Sequence, residues 1–403
     1  MDIEDAAKVG LSAERLDRIG PYFEKRYVDT EKLPGVLTLV VRRGHVVHLA
    51  TSGRRDVERD LPMTEDTIVR LYSMTKPVTS VALMMLYEQG AFQLDDPVAS
   101  YLPELGQLSV HEPGGGRTPC HVPLTVQHLL THTSGFTYGF MMETEVDAMY
   151  REHDVGGLTT GGDLATMVEK LGQLPLLFEP GSRWNYSVST DVCGRLVEVL
   201  SGTPLDVFFR DRIFRPLQMN ATGFSLTSDH PDPFAACYTP GSKGGLHLID
   251  DPASSPYRTP PPFLSGGGGL VGTAGDYLRF CTMLLNRGEL DGVRILGRKT
   301  VDYMTTNQLP SGGDLTSMGR PVFSETSYDG IGFGLGFSVM LDPARAHVMG
   351  TAGEYAWGGA ASTMFWIDPI EELIGMFLTQ LIPSSTYPVR RQMRVLTYQA
   401  LVD

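Results

Sequence analysis

Ser73-Met-Thr-Lys76 sets a hydroxyl and an amine three residues apart. On a helix that spacing puts both groups on one face about a turn apart, where the amine can take the hydroxyl's proton and leave a nucleophile. Pro77 fixes the frame, because proline is accommodated only in a helix's first turn, where its missing N–H has no partner anyway. A helix therefore starts just ahead of Pro77 and runs on through the apolar stretch Val78–Gln89. Ser73 then stands at the helix N-terminus, where free N–H groups and the positive end of the dipole can stabilise charge on a substrate carbonyl oxygen. With 25 serines and seven lysines, chance supplies about 0.4 such pairs, so the weight comes from context. None of the other six lysines has a serine three residues before it, and 26 of the 33 basic residues are arginine. The plain alternative, Ser73 as an N-cap and Lys76 as a solvated first-turn residue, sets a cation at the wrong end of the helix dipole.

Two further segments carry chemistry. The segment Phe178-Glu-Pro-Gly-Ser-Arg-Trp-Asn-Tyr-Ser187 brings Tyr186 to a loop end just before the helical run Asp191–Leu200. A tyrosine there can shuttle a proton when a nearby ammonium lowers its pKa; the alternative is an aromatic packed on a loop. Trp357-Gly358-Gly359-Ala360 precedes the apolar run Met364–Ile367, and its glycines let a strand edge approach a ligand and offer it a backbone N–H. The alternative is a plain turn.

Three patterns are set aside. Gly267-Gly-Gly-Leu-Val-Gly272 has the G-x-G-x-x-G spacing, but it follows a Pro-rich segment rather than a strand and reads as a flexible loop, not a dinucleotide site. His128 and His132 are four apart like two zinc ligands, yet no Glu follows the first and Thr-Ser-Gly135 stops the helix, so they read as helix-end histidines. No G-x-S-x-G occurs, which removes the nucleophile-elbow hydrolases and leaves a serine scheme served by lysine and tyrosine.

The elements that must position these groups fall into a pattern. After an amphipathic stretch from Ser12 to Arg26, Val36–Arg42 and Val46–Ala50 flank Arg43-Gly44 as a β-hairpin. Strands are expected again at Gly334–Leu341, His347–Gly350, Met364–Ile367 and Leu373–Leu381, then a helical tail over Pro388–Ala400. Strands at both ends predict one antiparallel sheet built from the two termini. Between them Leu164–Leu174, Asp191–Leu200 and Leu205–Phe214 have helical apolar spacing, so the middle is mostly a helical insertion, and Asp251–Gly269 reads as a long loop over a site or between subdomains. The fold class is thus α/β of the α+β type, an antiparallel sheet flanked by helices with a helical subdomain.

Composition narrows the partners. The chain has 403 residues, 42% of them hydrophobic, enough for a large core and too apolar for a disordered chain. A net charge of −14 would repel a phosphate backbone or an anionic membrane surface, so neither nucleic acid nor membrane is an expected partner. Cys120, Cys193, Cys237 and Cys281 form no C-x-x-C pair and read as isolated thiols rather than a metal knuckle or a disulfide framework. The acidic Met1–Asp5 is unlike a secretory signal, and no run approaches 18 apolar residues, so a cytoplasmic protein is expected.

In order, Ser73-x-x-Lys76, Tyr186-Ser-Val188 and Trp357-Gly-Gly359 resemble the serine β-lactamase and penicillin-binding-protein superfamily, and within it the family VIII carboxylesterases. Leu129–Gly135, Glu179-Pro-Gly181 and Gly267–Gly272 look like its accessory signatures, and the likeness runs from about residue 15 to 385. The resemblance implies a β-lactamase/transpeptidase-like catalytic domain, with residues 1–85 and 230–403 as its α/β part and 86–229 as its mostly helical part. It implies Ser73 as the acylated nucleophile, Lys76 as the group holding its proton or tuning its partner, and Tyr186 as general base and later acid, its phenolate favoured by Lys76. The oxyanion would lie between the N–H of Ser73 and that of Ala360 at the Trp357–Ala360 strand. Whether lysine or tyrosine takes the first proton stays open, since a coupled pair need not allow a single answer.

The second motif ends in Val188, where the lactamases carry an asparagine, and the third begins with Trp357, where they carry a lysine. Apolar groups there remove the contacts of an anionic lactam and leave a greasier pocket for neutral esters. A cofactor- and metal-independent carboxylesterase for short-chain or aromatic esters is expected, its partner a small-molecule ester. Acyl transfer from the same acyl-enzyme, weak β-lactamase activity and a non-catalytic binding scaffold are the alternatives. Nothing in the sequence sets an oligomeric state.

Overall fold

The computed structural model describes residues 1–157, 161–226, 233–242, 244–319, 325 and 328–403. Strands from both ends of the chain build one antiparallel sheet. They are β1 (Gly35–Arg42), β2 (His45–Asp56), β3 (Leu61–Pro62), β4 (Ile331–Phe333), β5 (Ser338–Met340), β6 (Tyr355–Gly358), β7 (Met364–Asp368) and β8 (Leu373–Leu378). Their spatial order is β4-β5-β6-β7-β8-β1-β2-β3. The two ends of the chain meet where β1 pairs with β8, Leu37 opposite Leu378 and Arg42 opposite Leu373.

Period-two alternation sorts the central strands between two cores. Leu37, Leu39 and Val41 of β1, Phe365 and Ile367 of β7, and Ile374, Met376 and Leu378 of β8 face one side. There they meet α1 (Thr75–Glu88), α2 (Val126–Leu130), α3 (Ser189–Ser201) and α4 (Ala274–Leu285). Val36, Val40, Met364, Trp366, Leu373 and Phe377 face the other side, covered by Ile19, Phe23 and the C-terminal α5 (Val389–Tyr398). Both faces of these strands are buried, which is why they read as near-continuous apolar runs rather than as alternation.

The helix carrying the Ser-Lys pair is buried almost all round, from Thr75 through Leu86. A helix buried on every face belongs inside a core, and α1 packs side by side with α3. Pro77 lies in its first turn, as its missing N–H requires, and Gly90 in the left-handed region follows its end. Each Leu, Val or Met it buries contributes about 1.5–3 kcal/mol, so the position of its N-terminus is firmly set.

Several expectations need adjustment. His347–Gly350 is not a strand: a short helix covers Pro343–Ala346, His347 adopts a left-handed φ of 52°, and the strand is Tyr355–Gly358, beyond the turn at Gly353. Gly334–Leu341 is not one strand but the turn and second arm of the β4–β5 hairpin, bent at Gly336 with φ 96°. β2 runs on to Asp56. The middle also contains a two-stranded hairpin, Ser109–Glu112 with Gly116–Pro119. No helix among the described residues is long and apolar enough to cross a membrane.

Candidate active site

Ser73 lies in a single tight turn, Tyr72–Met74, that runs directly into α1. Tyr72, immediately before it, has a φ of 46°, a left-handed conformation that a bulky side chain adopts only under constraint and that turns the following hydroxyl into the cleft. Two bonds clamp the turn from behind: Tyr277 donates to the carbonyl of Met74 at 2.9 Å, and the N–H of Leu270 donates to Thr75 Oγ1 at 3.1 Å.

The Tyr186 hydroxyl donates to Ser73 Oγ at 2.5 Å. Lys76, one turn along α1, does not bond Ser73. Its Nζ donates to the Gly267 carbonyl at 2.7 Å and to Tyr138 Oη at 3.0 Å, and it sits 4.5 Å above the centre of the Tyr186 ring. The hydroxyl of Ser73 is therefore met by Tyr186 rather than, as the spacing suggested, by Lys76, whose amine lies against the face of the tyrosine ring.

Burial sets the charges. Lys76 is fully enclosed, and loss of hydration lowers its amine to about 7, with the negative Asp191 acting in the opposite sense. Burial pushes the Tyr186 phenol well above its ordinary range; the hydrogen bond to Ser73, Trp357 and the positive Arg390 pull it back. A standing phenolate at neutral pH, as the resemblance implied, is thus disfavoured, and the resting tyrosine is a neutral donor. Burial also raises the Asp191 carboxyl, opposed first by Lys76 and then by Ser265, Gly267 and Tyr138.

The strand at the third motif closes the site. Gly359 donates to the Thr363 carbonyl at 3.0 Å, so its own N–H is spent, whereas the N–H groups of Ala360 and Ser73 make no hydrogen bond among the described residues. Gly359 is a steric requirement: a Cβ there would lie 2.4 Å from the Leu71 carbonyl oxygen and 2.3 Å from Thr363 Oγ1. That close approach brings Ala360 up to the Ser73 turn.

Around Ser73 opens a cavity of about 450 Å³, lined by Tyr72, Tyr138, Phe140, Trp184, Tyr186, Tyr328, Trp357, Gly358, Gly359, Ala360, Ile382 and Arg390, among others. It is mainly apolar, with a strong aromatic share, as expected from Trp357. Val188 is a correction: it caps α3 fully buried, packs against Gly156 and does not line the cavity, because the chain turns into the helix there and points the side chain into the core. The Gly267 segment is a second correction, since four interactions pin it: Ser265 and Gly267 N–H donate to Asp191 Oδ1, at 2.6 and 2.9 Å, the Gly267 carbonyl accepts from Lys76, and Leu270 holds Thr75.

His128 caps the start of α2 through a reciprocal bond with Thr125, as a structural helix residue would. His132 is less ordinary. Fully buried and held neutral by loss of hydration, its ring lies 5.1 Å from that of Tyr186 and supports it. Sequence reasoning missed Tyr138, Asp191, Ser265 and Arg390. Asp191, a buried acid in the first turn of its helix, at the head of the apolar run, was the one with a visible signal; Arg390 arrives from α5, nearly two hundred residues from Asp191, and donates to the Gly359 carbonyl at 3.1 Å.

The Ser73 turn at the head of a buried helix, a tyrosine on the serine and a strand edge presenting N–H groups define a serine hydrolase of the β-lactamase and penicillin-binding-protein superfamily. The chain belongs to the Beta-lactamase family, whose profile matches residues 23–399. It is 31% identical over 398 residues to "Esterase EstB" of Burkholderia gladioli, covering 93% of this chain and 91% of that one. Among solved structures it is similar to "EstCE1, a hydrolase with promiscuous acyltransferase activity", with a TM-score of 0.79, 27% identity and 96% and 99% of the two chains covered. It is also similar to the simvastatin synthase LovD of Aspergillus terreus, with a TM-score of 0.79, 25% identity and 96% and 98% covered.

Proposed function

We propose that the protein is a carboxylesterase that cleaves neutral short-chain or aromatic esters through an acyl-enzyme on Ser73. The observation that carries this reading is the Tyr186–Ser73 hydrogen bond with Lys76 beneath it, opening into an aromatic cavity. Lys76, poised near neutrality, takes the phenolic proton of Tyr186, and the phenolate takes the Ser73 proton as Oγ attacks the ester carbonyl. The tetrahedral oxyanion forms between the N–H groups of Ser73 and Ala360. On collapse Tyr186 protonates the leaving alkoxide and is reprotonated by Lys76; water then repeats the sequence on the acyl-enzyme. No cofactor or metal enters these steps. The α/β part at 1–85 and 230–403 and the helical part at 86–229 would meet at this cleft. Four free thiols favour a reducing, cytoplasmic setting.

The test is hydrolysis of p-nitrophenyl butyrate by the intact chain and its loss in Ser73→Ala; retained turnover in the variant would overturn the reading. A second outcome, transfer of the acyl group to an alcohol, is favoured by the apolar lining, which holds an organic acceptor better than water, and by the similarity to EstCE1. Product analysis with an added alcohol separates the two.

A further inference from the structure

Behind the active-site amine lies one carboxylate that the mechanism above does not use. Lys76 and Asp191 are both fully buried, on the adjacent helices α1 and α3, yet they make no direct ion pair. Two bridges join them instead, one to each carboxylate oxygen. Through the first, Lys76 Nζ donates to Tyr138 Oη at 3.0 Å and Tyr138 donates to Asp191 Oδ2 at 3.5 Å. Through the second, Nζ donates to the Gly267 carbonyl at 2.7 Å while the N–H of the same residue donates to Asp191 Oδ1 at 2.9 Å. Ser265 adds a third donor at 2.6 Å.

We infer that Asp191 is a positioning residue for the catalytic amine: acting through Tyr138 and Gly267, it fixes where Nζ sits and how readily Nζ holds a proton. Every group that bonds Asp191 is a donor, which suits an ionised carboxylate, an acceptor only. A buried carboxylate without a cation is costly, so each proton that Lys76 collects from the reaction also neutralises Asp191. Burial alone can drive an enclosed lysine to 5–6; the carboxylate opposes that fall and keeps the amine near neutrality. The other groups facing Lys76 are the phenols of Tyr138 and Tyr186 and the neutral imidazole of His132, with the Ser73 hydroxyl one turn away. Cys193 faces Asp191 from the same helix, and Arg390 acts from the far side of Tyr186. Asp191 is the one carboxylate acting on Lys76 in this set.

The inference rests on the esterase reading for the role of Lys76, so its test uses two readouts. Asp191→Asn keeps the shape and an acceptor for Ser265 and Gly267 while removing the charge. The kcat/KM of p-nitrophenyl butyrate hydrolysis and the rate of Ser73 labelling by a fluorophosphonate are each followed against pH. With the negative charge gone, the protonated amine loses support, and the acidic limb of both profiles moves to lower pH by about one unit. Tyr138→Phe breaks one bridge, moves the limb the same way by less, and decides the matter if the Asn variant fails to fold. A limb that stays in place while the rate falls at every pH would mean that Asp191 is structural only and would overturn the inference. Wild-type enzyme that is labelled but hydrolyses no ester would overturn the esterase reading instead, and the labelling profile would still report on Asp191.

Discussion

The phenol of Tyr186 donates to Ser73 Oγ at 2.5 Å, while Lys76, although a helical neighbour of that serine, directs its amine to Tyr138 and Gly267. The division of labour between the two candidate bases follows from this geometry. In the proposed reaction tyrosine moves the serine's proton, and lysine stores it. Tyr186→Phe keeps the ring and its packing against His132 and Trp357 but removes the only side-chain group hydrogen-bonded to the nucleophile among the described residues. Loss of such a positioned acid–base group costs about 10²–10⁴ in rate, so kcat for p-nitrophenyl butyrate should fall by that factor with an unchanged thermal midpoint. A fall of less than tenfold would remove Tyr186 from the proton path.

The pH profile follows from the same pair. Lys76 is lowered by burial to about 7, and only its neutral form can accept a proton. Activity should therefore be lost as pH falls through about 7 and be complete above it. No second loss is expected in the mildly alkaline range, because burial raises Tyr186 further from neutrality. A kcat/KM profile flat down to pH 5 would contradict this assignment.

The strand edge makes a steric prediction. In Gly359→Ala the new methyl would collide with the Leu71 carbonyl and Thr363 Oγ1 and push Ala360 away from the nucleophile turn. Displacing one oxyanion donor costs about 10²–10³ in kcat, and KM should move far less, since the cavity's aromatic lining is untouched. Equal kcat in wild type and variant, measured at saturating ester, would exclude the Ala360 N–H from the oxyanion site.

Glu354 is buried beneath the sheet, paired with Arg394 of α5 and hydrogen-bonded by Tyr398 at 2.6 Å. Tyr398 also lies 2.9 Å from Asp368, so the cluster ties α5 to β7. Removing one member of a buried pair strands the other charge, at a cost of about 3–5 kcal/mol. Glu354→Gln should lower stability by that amount in urea unfolding while leaving the acidic limb of the rate profile in place.

Legibility in the sequence followed the range of the interactions. The Ser73–Lys76 pair and Pro77 sit within one turn, so local rules were enough to place Ser73 at a helix start. The hairpin of β1 and β2 announced itself through β-branched runs about Arg43-Gly44, and the apolar runs of β7 and β8 through burial on both faces. His347–Gly350 misled because a short apolar run ahead of a glycine resembles a strand, whereas Gly350 sits against the Glu354 carboxylate and the chain pairs only from Tyr355. Tyr138, Asp191 and Gly267 meet at Lys76 from three separate segments of the chain. No local spacing encodes that meeting, and the same is true of Val188, whose burial depends on Gly156.

Everything in the proposed reaction passes through a covalent acyl group on Ser73. Wild-type protein mixed with p-nitrophenyl butyrate and quenched in acid within the first turnover should show, by intact mass and peptide mapping, one butyryl group on the peptide containing Ser73, formed with a burst of p-nitrophenol and absent in Ser73→Ala. A burst and adduct that persist in Ser73→Ala, or an adduct mapped to another residue, would contradict the account.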